Sequence, residues 1–170
     1  STEEDTAVFL SGIGGALVDA DGSETLTYVL SGVPAGVTFS TGTNLLAGNW
    51  SFTAGQMAGG VWFTPPLNWH GTINTMTLTA LATEVENGNQ ALSTANITVT
   101  IDAQADQPLI SGSTIGLEDS SINFGQNISV SLYDSDGSET LTSITVTIPG
   151  GLVPTYSGPG TVTDLGGGAY

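Results

Sequence analysis

The feature that most constrains the fold of this chain is an internal repeat. Residues 17–27 have the sequence LVDADGSETLT, and the sequence LYDSDGSETLT recurs 115 positions later, at residues 132–142. Two further matches occur in the same order, since residues 4–6 correspond to 118–120 and residues 33–36 correspond to 148–151. A repeat of this length has the size of one domain. The sequence therefore predicts one domain at 1–107, followed at 108–170 by the N-terminal part of a second copy, either truncated or split by an insertion.

The hydrophobic pattern within the repeat is that of β-strands. At 96–101, Ile97, Val99 and Ile101 alternate with polar residues, which is typical of a strand with one buried face. Alternation also occurs at 76–82, 128–132 and 144–148, and shorter strands are predicted at 6–10, 26–30, 49–53 and 61–64. A single helical turn is expected near 54–58. Short strands separated by frequent turns predict an all-β chain of antiparallel, immunoglobulin-like (cadherin-like) β-sandwich repeats in tandem.

The charge of the chain excludes several classes of partner. It has 16 acidic residues, no Lys, no Arg and one His, for a formal charge of -16. Nucleic acids and anionic lipid surfaces are excluded because both are bound through Lys and Arg. No apolar run is long enough to span a membrane, and no export signal is recognisable at the N-terminus. Because the first residue is Ser1 and not Met, we expect a fragment or a processed product.

The absence of cysteine narrows the chemistry further. Disulfides, thiolate metal sites and thiol nucleophiles are all impossible. If the protein functions outside the cell, another kind of crosslink must stabilise it.

Most of the carboxylates lie in short clusters that the repeat duplicates. The clusters are Glu3, Glu4 and Asp5, then Asp19, Asp21 and Glu24, then Asp102 and Asp106 in the connector, then Glu118 and Asp119, and finally Asp134, Asp136 and Glu139. If the first strand of a domain is antiparallel to its partner, we expect the two clusters of that domain to converge at one end. Like charges so placed repel each other, and the chain has no Lys or Arg to neutralise them.

Calcium is the cation that best suits such clusters, because it accepts six to eight oxygen ligands in flexible geometry. Magnesium requires a stricter octahedron, and zinc is disfavoured because the clusters contain no His or Cys. The spacing excludes an EF-hand, since Gly22 and Gly137 come fourth in their loops and not sixth. The simpler alternative is that Asp-Gly forms an ordinary turn and the acids are solvated surface charges.

Several segments together resemble the cadherin-like or immunoglobulin-like extender repeats of giant bacterial RTX adhesins. They are the DxDGSETLT segments, GVPAG at 32–36, GNWSFT at 48–53, FTPPLNWHG at 63–71 and ITVTIDAQADQP at 97–108. The resemblance covers the first copy and the surviving part of the second. It implies that the calcium ligands are Glu4, Asp5, Asp19, Asp21, Glu24, Asp102, Asp106, Glu118, Asp119, Asp134, Asp136 and Glu139.

The function implied by this resemblance is structural and not enzymatic. Calcium at domain ends and joints would keep tandem domains extended, and so hold an adhesive region away from the bacterial cell for adhesion and biofilm formation. The protein would be extracellular, exported by a type I system, and its partners would be calcium ions and neighbouring repeats. Other domains of the parent protein would contact host or biofilm surfaces.

A ligand-binding module of the same adhesin class is the alternative. Its candidates for stacking on a glycan or binding a peptide are Trp50, Trp62, Trp69, His70, Asn68 and Tyr156. The flanking apolar residues indicate that at least one residue of each strand around Trp50 and Trp62 is buried. The alternating Thr residues at 75–79 are compatible with an ice-binding face, but any half-solvated strand has this pattern. Catalysis is disfavoured because the chain has one imidazole, no Lys or Cys nucleophile and no Gly-x-Ser-x-Gly turn.

Overall fold

The computed structural model describes residues 1–19, 21–134, 136–148, 155, 161–163 and 165–166. The candidate Tyr156 and part of the match at 148–151 lie outside these residues. The chain packs into two compact units. The first comprises Ser1–Asp106 together with Asp134–Ser138, and the second comprises Gln107–Tyr133 and Glu139–Tyr170. The turn Asp134–Ser138, which the sequence repeat assigns to the second copy, thus packs with the first unit.

The described chain is all-β apart from two short helices. The first unit contains β1 (Thr2–Glu3), β2 (Val8–Leu10), β3 (Glu24–Ser31), β4 (Thr38–Phe39), β5 (Thr43–Leu46), β6 (Asn49–Thr53), α1 (Ala54–Gly59), β7 (Val61–Thr64), β8 (Gly71–Glu84) and β9 (Gln90–Asp102). Six strands form one sheet in the order β1-β9-β8-β3-β6-β5, and three form a second sheet in the order β2-β7-β4. All pairs are antiparallel except β1 with β9, which is parallel.

The core of the first unit is built from both sheets. The most deeply buried side chains include Tyr28 of β3 and Met76 of β8 from the larger sheet, and Val61 and Phe63 of β7 from the smaller one. Phe39 of β4 makes edge-to-face contacts with Trp50, Phe52 and Phe63. Successive side chains of a strand point to opposite faces, so each of these strands turns one set of side chains toward the core.

Most of the predicted strands are present. The predictions at 49–53 and 61–64 coincide with β6 and β7, and those at 6–10, 26–30, 76–82, 96–101 and 128–132 overlap strands. The predicted helical turn is α1, which begins at a capping box formed by Thr53 and Gln56. The strand predicted at 144–148 is wrong, because in these described residues only Thr147 makes an isolated bridge.

In the second unit, the described residues form one hairpin-like pair of strands. Strands β10 (Leu109–Gly112) and β11 (Ile128–Ser131) pair antiparallel, and a 3-10 helix (Phe124–Gln126) precedes β11. No helix within the described part of the chain is long and apolar enough to cross a membrane.

Two local structures recur at the positions that the sequence repeat relates. Asp5 and Asp119 both have the left-handed backbone, with φ of 56° and 59°. In both turns around the Asp-x-Asp segments, the second Asp donates its N–H to the first carboxylate and the following Ser donates its N–H to the second carboxylate. Gly22 and Gly137 have φ of 86° and 91°, a conformation that favours glycine. The repeated sequences therefore adopt the same local backbone.

The long strand β8 determines which acidic clusters can meet. At its start Gly71 pairs with Ile101 of β9, whose neighbour Asp102 pairs with Glu3 of β1. At its other end Glu84 pairs with Glu24 of β3. Strands rise about 3.4 Å per residue, so these two ends are roughly 40 Å apart along β8.

Candidate metal centre

The turn Asp134–Ser138 brings two carboxylates to the first unit. The side chain of Asp134 is buried; its Oδ1 accepts the N–H of Asp136 at 2.8 Å, and its Oδ2 accepts the hydroxyl of Ser138 at 3.3 Å. Asp136 Oδ1 accepts the N–H of Ser138 at 2.7 Å. Each hydrogen bond fixes the direction of a carboxylate, and Asp136 Oδ2 is left to face another side chain.

Glu4 is the buried acid of the centre. It follows β1, donates its N–H to the carbonyl of Asp102 at 3.0 Å and is only 5% exposed. Its Oε1 accepts the N–H of Gln104. Its Oε2 is fully buried and has no hydrogen-bond partner among the described residues. Burying a carboxylate oxygen without a partner is costly, so this atom is a candidate ligand for a cation.

His70 completes the group. It lies immediately before β8, and its Nδ1 contacts Asp136 Oδ2. One potential ligand atom from each of Glu4, His70 and Asp136 lies within 4.8 Å of the other two. We call these three residues the Glu4–His70–Asp136 centre. Their spacing is compatible with a single cation bound by all three.

The charges of the centre act on the imidazole. The hydrogen bond with Asp136 raises the pKa of His70 above its ordinary value of 6.5, and the negative charges of Asp136, Glu4 and Asp134 raise it further. The N–H of Ser138 is the main cause that lowers the pKa of Asp136, and the hydrogen bond with His70 contributes. The site thus favours positive charge, whether it is a proton on the imidazole or a metal ion.

Two neighbouring residues supply further oxygens near this end of the unit. Asn68, two residues before His70, donates its N–H to Asp5 Oδ1 at 2.8 Å. Its side-chain Oδ1 is buried and has no hydrogen-bond partner within the described residues. Asp102 pairs with Glu3 across β1 and β9.

The expectation that both acidic clusters of a domain converge is wrong for the first unit. Asp19, Asp21 and Glu24 lie at the Glu84 end of β8, whereas Glu3, Glu4 and Asp5 lie at the Gly71 end. The physical reason is that β1 pairs with the end of β9, and not with β3. At the Glu84 end, Ser23 donates its hydroxyl to Glu84 Oε2 at 3.1 Å. Hydrogen bonding by the hydroxyl and the N–H of Ser23 lowers the pKa of Asp21.

The remaining predicted ligands lie elsewhere. Glu118 and Asp119 are exposed residues of the second unit, and Glu139 is a partly buried residue of that unit. Asp106 is partly buried at the end of the first unit's main segment. Their role as ligands stays a prediction.

Sequence reasoning missed two members of these clusters, His70 and Glu84. Zinc was disfavoured because no His was near an acidic cluster, and the structure corrects that premise. The signal was present in the strand pattern: extending the strand at 76–82 back to Gly71 and pairing it with 96–101 would have placed His70 beside Asp102. Extending it forward would have placed Glu84 opposite Glu24.

The aromatic candidates for ligand stacking are divided between core and surface. Trp50 is partly buried against Phe39, and Trp69 packs at the edge of the core. Trp62 is 49% exposed and contacts Phe9 on the neighbouring strand, with ring centroids 5.1 Å apart. As expected, each strand buries apolar neighbours of its Trp, namely Phe52 in β6 and Val61 and Phe63 in β7.

Comparison with protein-family models, with curated proteins and with solved structures finds no match for this chain.

Proposed function

We propose that this chain is a non-catalytic structural segment of a bacterial surface adhesin, in which tandem immunoglobulin-like (cadherin-like) β-sandwich domains are stiffened by calcium. The observation that carries the proposal is the buried Oε2 of Glu4. It lacks a partner among the described residues, and it belongs to a group that also holds Asp134 and Asp136. Since the chain has no Lys or Arg, a cation from the medium is the available source of positive charge for this group other than a protonated His70.

Calcium suits the oxygens at this end of the first unit. Glu4 and Asp136 each have one carboxylate oxygen fixed by a backbone N–H and a second oxygen not used in that bond. Asp134, two residues before Asp136, is buried, and Asp102 at the end of β9 accepts the N–H of Glu4 through its carbonyl. A flexible set of carboxylate oxygens is the ligand type that calcium prefers, and extracellular modules bind it at about 10⁻⁴ to 10⁻³ M.

The separation of the clusters is consistent with a string of domains. In the proposal, Asp19, Asp21 and Glu24 serve a second calcium group at the far end of β8, for a neighbouring domain of the parent chain. The turn at Asp19–Asp21 has the same two backbone N–H to carboxylate hydrogen bonds as the turn Asp134–Ser138, which packs with the first unit. Glu118, Asp119 and Glu139 would serve the second domain in the same way. Such a segment would function outside the cell after type I export.

Thermal unfolding with and without calcium tests the proposal. If calcium binds the folded state alone, a concentration 100 times the Kd stabilises it by about 2.7 kcal/mol. For a domain of this size that corresponds to a rise in Tm of about 10 °C. The measurement is calorimetry of the chain in calcium and in chelator, with magnesium as the control for ionic strength and charge. Identical melting curves in all three conditions would refute calcium binding.

A further inference from the structure

We propose that His70 makes the Glu4–His70–Asp136 centre a binding site for a first-row transition-metal dication of the zinc class, which competes there with calcium. The inference rests on the proposed function in one respect, since both use the carboxylates of Glu4 and Asp136. It does not depend on the adhesin role or on the joints between domains.

The donor set points to this class of ion. The centre offers one imidazole nitrogen and two carboxylate oxygens within 4.8 Å of one another. Zinc is bound in proteins by His nitrogen and by Asp or Glu oxygen at about 2.0 to 2.2 Å. Imidazole suits zinc, copper, iron and nickel, whereas calcium takes oxygen ligands and gains nothing from a nitrogen. The nitrogen of His70 therefore changes which ion the centre prefers.

The carboxylates are held in place before any ion binds. Glu4 is fixed through its N–H to Asp102 and through Oε1 to Gln104, and Asp136 is fixed through Oδ1 to Ser138. Hydrogen bonds of this kind orient the ligands of metal sites, and their loss typically costs about 10- to 100-fold in metal affinity. Such preorganisation lowers the cost of ordering the ligands around an ion.

The unpartnered oxygen of Glu4 is an independent sign of a ligand. Only 5% of Glu4 is exposed, yet its Oε2 makes no hydrogen bond to any described residue. The side chain of His70 is 41% exposed. An ion can therefore reach the centre from solvent on the His70 side and bind the buried carboxylate on the other.

The composition makes the site unusually easy to test. His70 is the only imidazole of the chain, and the chain has no cysteine. Any nitrogen ligation of zinc by a side chain must therefore occur at His70, and no thiolate can contribute.

The experiment measures both the imidazole ¹⁵N resonances of His70 and the affinity for Zn²⁺, in the full chain. In wild-type protein, one equivalent of Zn²⁺ should shift the imidazole ¹⁵N resonances of His70 to values of a ligated nitrogen, and excess Ca²⁺ alone should not. Calorimetric titration with Zn²⁺ should show an affinity at least about tenfold weaker in His70→Gln, since even residues that only orient a ligand are worth about 10- to 100-fold. The affinity for Ca²⁺ should change less than about threefold.

Glu86→Gln is the matched control, because it removes a carboxylate from the exposed turn between β8 and β9, outside the proposed metal groups, and should leave the affinity for Zn²⁺ unchanged. Circular dichroism establishes that each variant is folded, and the ¹⁵N measurement requires no variant at all. If zinc leaves the imidazole resonances in place, or if His70→Gln binds zinc like the wild type, the inference is overturned. If zinc binds through His70 but calcium gives no heat of binding and leaves the melting curve unchanged, the proposed calcium function fails while the zinc site stands.

Discussion

Glu24 and Glu84 lie directly opposite each other on the paired strands β3 and β8. Like charges at directly opposed positions of an antiparallel pair repel each other. The loop before β3 adds Asp19 and Asp21 to the same end of the unit, and Ser23 is the only described hydroxyl that donates to Glu84. This end of the first unit is therefore electrostatically strained unless a cation is bound.

Replacing Glu84 by Gln should stabilise the metal-free protein by about 0.5 kcal/mol, because cross-strand pairs contribute roughly 0.2 to 1 kcal/mol. Gln keeps an acceptor for the Ser23 hydroxyl and removes the repulsion with Glu24. Chemical denaturation in chelator measures the change, and the gain should shrink in high salt. Glu86→Gln, in the exposed turn between β8 and β9, removes the same charge elsewhere. An equal gain in both variants would mean that net charge, and not the pair, is responsible.

Replacing Glu4 by Gln should remove most of the calcium-dependent rise in Tm. The variant retains an oxygen to accept the N–H of Gln104, but it loses the charged ligand that the buried Oε2 provides. In chelator, the variant should be at least as stable as the wild type, because a buried negative charge near Asp136 has been removed. Melting curves in calcium and in chelator measure both effects. Glu3→Gln is the neighbouring control, since Glu3 is exposed on β1, and it should keep the calcium response.

The pKa of His70 in the metal-free protein should lie above 6.5 and should fall toward that value in Asp136→Asn. Because the folded-state pKa is raised, the contact stabilises the fold fully below pH 6.5, and this contribution is lost as pH rises through the raised pKa. The pKa of Asp136 is lowered, so its contribution is present above about pH 3.8 and lost as pH falls through the lowered pKa. Titration of the imidazole C–H protons by NMR gives the value directly.

The matched control for the histidine titration is Asp21→Asn. Asp21 occupies the position in the first repeat that Asp136 occupies in the second, and its carboxylate accepts the N–H of Ser23 at 2.8 Å. This variant should leave the pKa of His70 unchanged. Equal titration curves for wild type and Asp136→Asn would contradict the contact itself.

Replacing Tyr28 by Phe should destabilise the first unit by about 1 to 2 kcal/mol. The hydroxyl of this buried residue accepts the N–H of Gly15 at 2.9 Å and donates to the carbonyl of Gly15 at 2.7 Å. Its removal leaves both backbone groups of Gly15 without this partner, at a cost of about 1 kcal/mol for each hydrogen bond. Urea denaturation measures the loss, and hydrogen exchange at the Gly15 amide should accelerate. Tyr133→Phe, at an exposed tyrosine, should change neither.

The parts of the fold that sequence analysis predicted are those governed by short-range patterns. Strands β6 and β7 were predicted at their observed bounds because buried Phe52 and Phe63 alternate with more exposed neighbours. Strands β4 and β1 have two residues each, too few for an alternation to be recognised. The strand expected at 144–148 has the alternating pattern, but the described residues there form only an isolated bridge and no ladder. Alternation identifies a residue's preference for a pleated backbone, whereas a strand also requires a partner.

The acidic clusters illustrate the same division. The repeat predicted that Asp19 and Asp134 begin equivalent turns, and the two turns share the same backbone N–H to carboxylate hydrogen bonds. The expected convergence of Glu4 with Asp21 is wrong, because it depended on which strands pair. That choice is made by the packing of two sheets around Tyr28, Met76 and Phe63, and no local pattern encodes it.

The amino-acid sequence by itself determined the β-rich character, the two repeated turns and the excess of negative charge, because each depends on composition or on neighbours a few residues apart. Only the tertiary structure decided that His70 meets Asp136, 66 positions away, and that Glu4 meets Gln104, 100 positions away. Strand order and register set those meetings, and both follow from the free energy of burying the whole core and not from any single segment.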